Sequence, residues 1–133
     1  MTDALQTDTV KTFTYCGLTC TIKHTYIPGR DTNWYCGYMA GPIHVDSDDH
    51  ADTIADAHGG FTFFEEGDGI VTLGFDTGHH FDGPWSQNPE YVEKAIMKAV
   101  DSLHDAGVIE AVTTSTYGKF GFEIELYEKE GGA

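Results

Sequence analysis

His58-Gly59-Gly60-Phe61-Thr62-Phe63-Phe64-Glu65-Glu66-Gly67-Asp68-Gly69-Ile70-Val71-Thr72-Leu73-Gly74-Phe75-Asp76 contains two β-type runs around a polar, glycine-containing connector, and Thr77-Gly78-His79-His80-Phe81-Asp82 follows directly. That pattern predicts a β-hairpin. Side chains alternate faces along a strand, so Phe61 and Phe63 share a predicted core face with Val71, Leu73 and Phe75. With 65–69 as the loop, Phe64 pairs with Ile70, Thr62 with Thr72, Gly60 with Gly74, and His58 with Asp76. A slip of two residues keeps these faces but separates His58 from Asp76, whereas a slip of one puts the phenylalanines on the wrong face. The register therefore predicts a His58–Asp76 pair above a bare Gly60/Gly74 strip. Such a pair serves either as a site floor or as a structural contact in which each side chain satisfies the other.

Outward from the hairpin, Gly83-Pro84-Trp85 reads as a turn, and Asn88-Pro89 opens a helix with Asn as N-cap, Pro at the first position and Glu90 near the positive end. Val92, Ile96, Ala99, Val100 and Leu103 recur at helical spacing, and Gly107 supplies a C-cap signal, for a helix of about nineteen residues. Its expected role is to cover the core. On the N-terminal side, 12–25 reads as one strand with Cys16, Leu18, Cys20 and Ile22 on a face, and Pro28-Gly29-Arg30-Asp31 as a turn. A second strand, 34–40, places Trp34, Cys36 and Tyr38 on a common face and pairs with the first. Residues 1–10 read as a loose lead-in and 43–57, rich in Asp, as an irregular crossing loop with room for one helical turn. Beyond the helix, 108–112 and 119–127 read as strands and 128–133 as a tail. The expected fold is α+β: a single domain over 1–133, with an antiparallel sheet of five or six strands and one long helix packed across one face.

The chain has 133 residues, with 22 acidic and 7 basic side chains and a net charge of −15. Thirteen of the acids are Asp, opposed by six lysines and Arg30. A surface of that sign repels nucleic acid and excludes binding through a basic footprint. The 8 Phe, 7 Tyr and 2 Trp argue for a packed chain and against disorder. Acids dispersed among apolar residues point to a high-salt source, where self-repulsion is screened. A polar start and the lack of any apolar run near twenty residues give no leader or membrane-span signal, so the expected location is the cytoplasm of a halophilic host or a virion. Three cysteines suit no disulfide framework; Cys16, Cys20 and Cys36 could approach one another, and their core role is preferred to a zinc site. Asp46-Ser47-Asp48-Asp49 lacks the Gly and terminal Glu of a calcium loop and reads as a solvated acidic face.

Cys36-Gly37-Tyr38-Met39-Ala40-x-Pro42-x-His44, then His58-Gly59-Gly60-Phe61-Thr62, then Gly74-Phe75-Asp76-x-x-His79-x-x-Asp82 and a helix, occur in that order. The chain resembles, over roughly residues 12–104, a family of small proteins common in tailed-virus genomes. Thr77-Gly78 stands where that family has Cys-Ala, Val45 stands where it has Pro, and the strands after Gly107 are an addition. The resemblance implies a virus-encoded accessory protein and carries no particular chemistry.

The polar positions in these motifs are His44, His58, Thr62, Asp76, His79 and Asp82, with Gly59 and Gly60 offering backbone N–H groups. Three functions of different classes fit them. In the preferred one, the protein captures a small host ligand, such as a nucleotide immune signal, at His44, His58, Gly59, Gly60, Thr62, Asp76, His79 and Asp82. In the second it is a phosphoesterase or other hydrolase, either with a divalent metal on His58, Asp76, His79 and Asp82 or with two histidines as acid and base. In the third it is a virion component, a homo-oligomer whose interface is anchored by Trp34, Tyr35, Trp85 and Tyr91.

Overall fold

Cys16-Gly17 breaks what reads as one long strand. Both residues have positive φ, 51° and 81°, the backbone of a two-residue hairpin turn whose twist matches that of its strands. The turn separates β1 (Gln6–Tyr15) from β2 (Leu18–Tyr26). Residues 6–10, expected to be a loose lead-in, are thus part of an edge strand. The structure is a computed structural model and describes residues 5–31, 33–79 and 82–110; the expected strand 119–127 and the tail lie outside them.

β3 (Asn33–Gly41) pairs antiparallel with β2, and β5 (Ile70–Asp76) pairs antiparallel with β3. β4 (Phe63–Gly67) closes the other edge, giving a five-stranded antiparallel sheet in the order β1-β2-β3-β5-β4. The short helix α1 (Asp48–Asp52), capped by Ser47, supplies the single helical turn in the crossing segment. The long helix α2 (Pro89–Asp105) begins at its Asn88 cap, where the side-chain oxygen accepts from the Tyr91 N–H.

One face of the sheet is core: Leu18, Cys20 and Ile22 of β2, Met39 of β3, and Val71, Leu73 and Phe75 of β5 are all buried. The stripe Val92, Ile96, Ala99, Val100 and Leu103 of α2 lies against them with no exposed surface. Burying each of the four larger side chains contributes about 1.5–3 kcal/mol of transfer free energy. Tyr15 Oη donates to Asp101 at 2.7 Å and Lys11 Nζ to Glu93 at 2.9 Å, tying the far edge strand to the same helix. The fold is α+β, as the patterning predicts.

Two expectations about register fail. The hairpin turn is the two-residue Asp68-Gly69, with φ of 54° and 79°, and not the five residues 65–69. Phe63 consequently pairs with Gly74 and Phe64 with Leu73. This is an odd shift from the expected register, so Phe64 turns toward the core and Phe63 turns outward, 39% exposed, with its ring edge-on to Tyr38. Phe61 still reaches the core because it precedes the strand, after two residues of left-handed backbone at Gly59 and Gly60. The cysteines do not converge either. Cys20 faces the core, whereas Cys36 pairs with Lys23 on the opposite face, because Met39 takes the place across from Cys20. No disulfide joins Cys16, Cys20 or Cys36, and burial pushes the Cys20 thiol up to about 12.

Candidate functional site

Asp82 organises the site. Its side chain has no exposed surface, so the carboxylate must recover from the protein what it loses in water. Oδ1 accepts from His58 Nε2 at 2.5 Å and from Ser86 Oγ at 2.6 Å; Oδ2 accepts from the His79 backbone N–H at 2.9 Å and from His79 Nδ1 at 3.0 Å. Burial pushes the carboxyl up, but the donors Ser86, the His79 N–H, the His79 ring and His58 together outweigh it and hold Asp82 below the usual value of 3.8.

His58 reaches Asp82 from the loop before β4, and its other ring nitrogen, Nδ1, lies 2.7 Å from the Tyr91 hydroxyl in the first turns of α2. A neutral imidazole satisfies both contacts with its proton on Nε2 and the tyrosine donating to Nδ1. Burial, then the Asp82 charge, push the Tyr91 phenol up, which keeps it a donor. The rings of Tyr91, Trp85 and His79 surround His58 at centroid distances of 5.3, 5.8 and 5.8 Å. The result is a Tyr91–His58–Asp82–His79 chain that draws on the 57–60 loop, on His79 and Asp82 after β5, and on α2.

Gly59 makes the convergence sterically feasible. Its φ is +70°, and a Cβ there would lie 2.6 Å from His79 Cε1 and 2.9 Å from His79 Nε2. Only a residue without a side chain lets the His79 ring lie over that backbone.

The predicted His58–Asp76 pair is not formed, since both ring nitrogens of His58 are engaged by Asp82 and Tyr91. Asp76 instead accepts from Gly78 N at 2.8 Å and from Thr62 Oγ1 at 3.2 Å, and stands 3.8 Å from His79 Nδ1. It is therefore a neighbour of the cluster through His79. Thr62 donates its backbone N–H to Gly74 O instead of pairing with Thr72. The bare glycine strip is also absent: Gly60 lies near the Asp52 carboxylate, and Gly74 is covered by the Tyr38 ring, 2.6 Å from where a Cβ would stand. His44 is outside the cluster, exposed on the surface with Glu110 Oε1 3.3 Å from its ring. Among the described residues, the cluster able to converge on one ion is His58, His79 and Asp82, with ligand atoms within 4.8 Å of one another.

No family model, curated protein or solved structure matches the chain. The chemistry of the site therefore rests on its own geometry.

Four residues that matter here were not picked out as site residues. Ser86 and Tyr91 buttress the cluster, and Lys94 and Lys98 line a cavity of about 260 Å³ beside it, together with Asp56, His58 and Tyr91. Tyr91, Lys94 and Lys98 are three and four residues apart, so they form a second stripe on α2 beside the apolar one. That spacing was the available signal, and the strength of the apolar stripe masked it.

Proposed function

We propose that the protein captures a small anionic ligand in the cavity between the 56–58 loop and α2, with a nucleotide as the ligand class. The carrying observation is that Lys94 and Lys98, two of only seven basic residues in the chain, line one concavity with His58 and Tyr91. Lys98 Nζ is 3.7 Å from Asp56, and both side chains are largely exposed. A pair of that kind is worth at most about 1 kcal/mol, so a phosphate can recruit the ammonium at little cost. Trp85, 57% exposed, adjoins the same wall, with its ring 5.5 Å from Tyr91 and 5.8 Å from His58. A nucleobase stacked on such a ring gains about 1–3 kcal/mol. The net charge of −15 opposes any anion at long range, and molar salt shortens the screening length to about 3 Å. Capture in a salt-rich cytoplasm by a virus-encoded accessory protein, acting on a nucleotide signal of host defence, agrees with these features and with the resemblance of the sequence motifs.

The Tyr91–His58–Asp82 chain favours a second reading, hydrolysis, because a carboxylate-oriented histidine beside an anion cavity is a general base in waiting. One experiment separates the two. The protein is incubated with linear and cyclic nucleotides, separated from free ligand, denatured, and the released material analysed. Intact nucleotide released only on denaturation supports capture, and the double variant Lys94→Gln/Lys98→Gln should then retain at least tenfold less. Cleaved product supports hydrolysis. A protein that retains and cleaves nothing overturns both.

A further inference from the structure

We infer that His58, His79 and Asp82 form a binding site for a divalent cation of the Zn²⁺ class. Two imidazole nitrogens from separate loops, His58 Nε2 and His79 Nδ1, are turned onto the two oxygens of one buried carboxylate. Tetrahedral ligands at about 2.0–2.1 Å from zinc stand roughly 3.3 Å apart. With one atom from each residue, the three ligand atoms already lie within 4.8 Å of one another, so side-chain shifts of about 1.5 Å or less bring them to that spacing. Two nitrogens and one oxygen suit zinc or a neighbouring transition metal, and not magnesium or calcium, which take oxygen ligands. Three protein ligands leave a coordination position for water or a substrate atom.

A hydrogen-bonded knot alone does not need this arrangement. Ser86, the His79 N–H and His58 already give the carboxylate three donors. The second imidazole fits only because residue 59 is a glycine in left-handed backbone, where a side chain would strike the His79 ring. The outer contacts are also those that orient metal ligands. Tyr91 sits on the far nitrogen of His58, while Ser86 Oγ and the His79 N–H brace Asp82. A metal held there would take the lone pair of His58 Nε2 and of His79 Nδ1, leaving the ring N–H of each on its other nitrogen. The His58 Nδ1–H then donates to the Tyr91 oxygen, so Tyr91 is a positioning residue and not a ligand.

The site does not depend on the anion cavity, and the test uses the metal alone. The full chain, stripped with a chelator and held in concentrated KCl to suppress loose binding to its surface carboxylates, is titrated with Zn²⁺, with Mg²⁺ as comparator and Co²⁺ as the spectroscopic probe. One equivalent of Zn²⁺ should bind at micromolar concentration or below, in preference to Mg²⁺, and Co²⁺ should give the absorption of a site with nitrogen ligands. His79→Gln, at a partly exposed position where folding should survive, should weaken Zn²⁺ at least 100-fold. Tyr91→Phe should weaken it about tenfold, while His44→Gln leaves it unchanged. Folded protein that retains no Zn²⁺, or His79→Gln binding it as tightly as the parent, overturns the assignment.

Discussion

Replacing Gly59 with Ala tests the approach of His79 to the 58–59 backbone directly. Two costs are expected. Left-handed φ, +70° here, costs a residue with a Cβ about 1–2 kcal/mol. The new methyl would also stand 2.6 Å from His79 Cε1, so the ring must retreat by about 0.8 Å to reach ordinary contact at 3.4 Å. The retreat carries Nδ1 away from Asp82 Oδ2, now 3.0 Å distant, and a hydrogen bond to a buried charge is worth about 1.5–3 kcal/mol. The total is roughly 2.5–5 kcal/mol, or about 10–20 °C in Tm for a domain of this size. Gly17→Ala is the control: φ is +81° and nothing lies within 4 Å of the added Cβ, so it should cost the backbone term alone, about 1–2 kcal/mol. Chemical denaturation of both variants, and of Gly59→Ala made in a His79→Ala background, isolates the clash. With the ring removed, the Gly59→Ala cost should fall to that of Gly17→Ala. If Gly59→Ala costs no more than Gly17→Ala in the parent, or its cost is unchanged without His79, the close approach is not what requires glycine there.

Asp82→Asn should lower stability at neutral pH by about 2–4 kcal/mol, since an amide group would face donors that the carboxylate now satisfies. Because the Asp82 carboxyl is held below 3.8 in the folded protein, its contribution is complete above about pH 4 and is lost as pH falls through the folded value. The gap between parent and variant, followed by urea denaturation at stepped pH, should therefore narrow only on that acid limb; a gap independent of pH would argue that the side chain's size matters and its charge does not. With 22 acids against 7 bases, Tm should rise from dilute buffer to molar KCl as repulsion is screened, and a Tm indifferent to salt contradicts the high-salt reading. Ile96→Ala, at a residue with no exposed surface in the centre of the α2 stripe, should cost about 2–5 kcal/mol yet leave zinc stoichiometry at one per folded chain, whereas loss of metal from the folded variant would tie the site to core packing.

Local chemistry was enough to place α2 and the core faces of β2 and β5. Asn88 and Pro89 mark the start of the helix, a 3.6-residue apolar stripe marks its buried side, and Leu18/Cys20/Ile22 and Val71/Leu73/Phe75 alternate with period two. Each signal depends on residues a few positions apart, and the packed structure reinforces it. The Asp68-Gly69 turn was equally legible as a two-residue hairpin signal; a third residue, Gly67, and the two preceding glutamates made the loop look longer. What the sequence misplaced is the carboxylate that His58 meets: the hairpin register points to Asp76, and the structure has Asp82. Asp76 and Asp82 are both near His79 along the chain, and no local preference separates them. Asp82 is selected because Ser86, the His79 N–H and the His79 ring donate to it, while Tyr91 of α2 holds the far nitrogen of His58. That choice belongs to tertiary structure, since a buried carboxylate is stable only where several distant segments satisfy it at once.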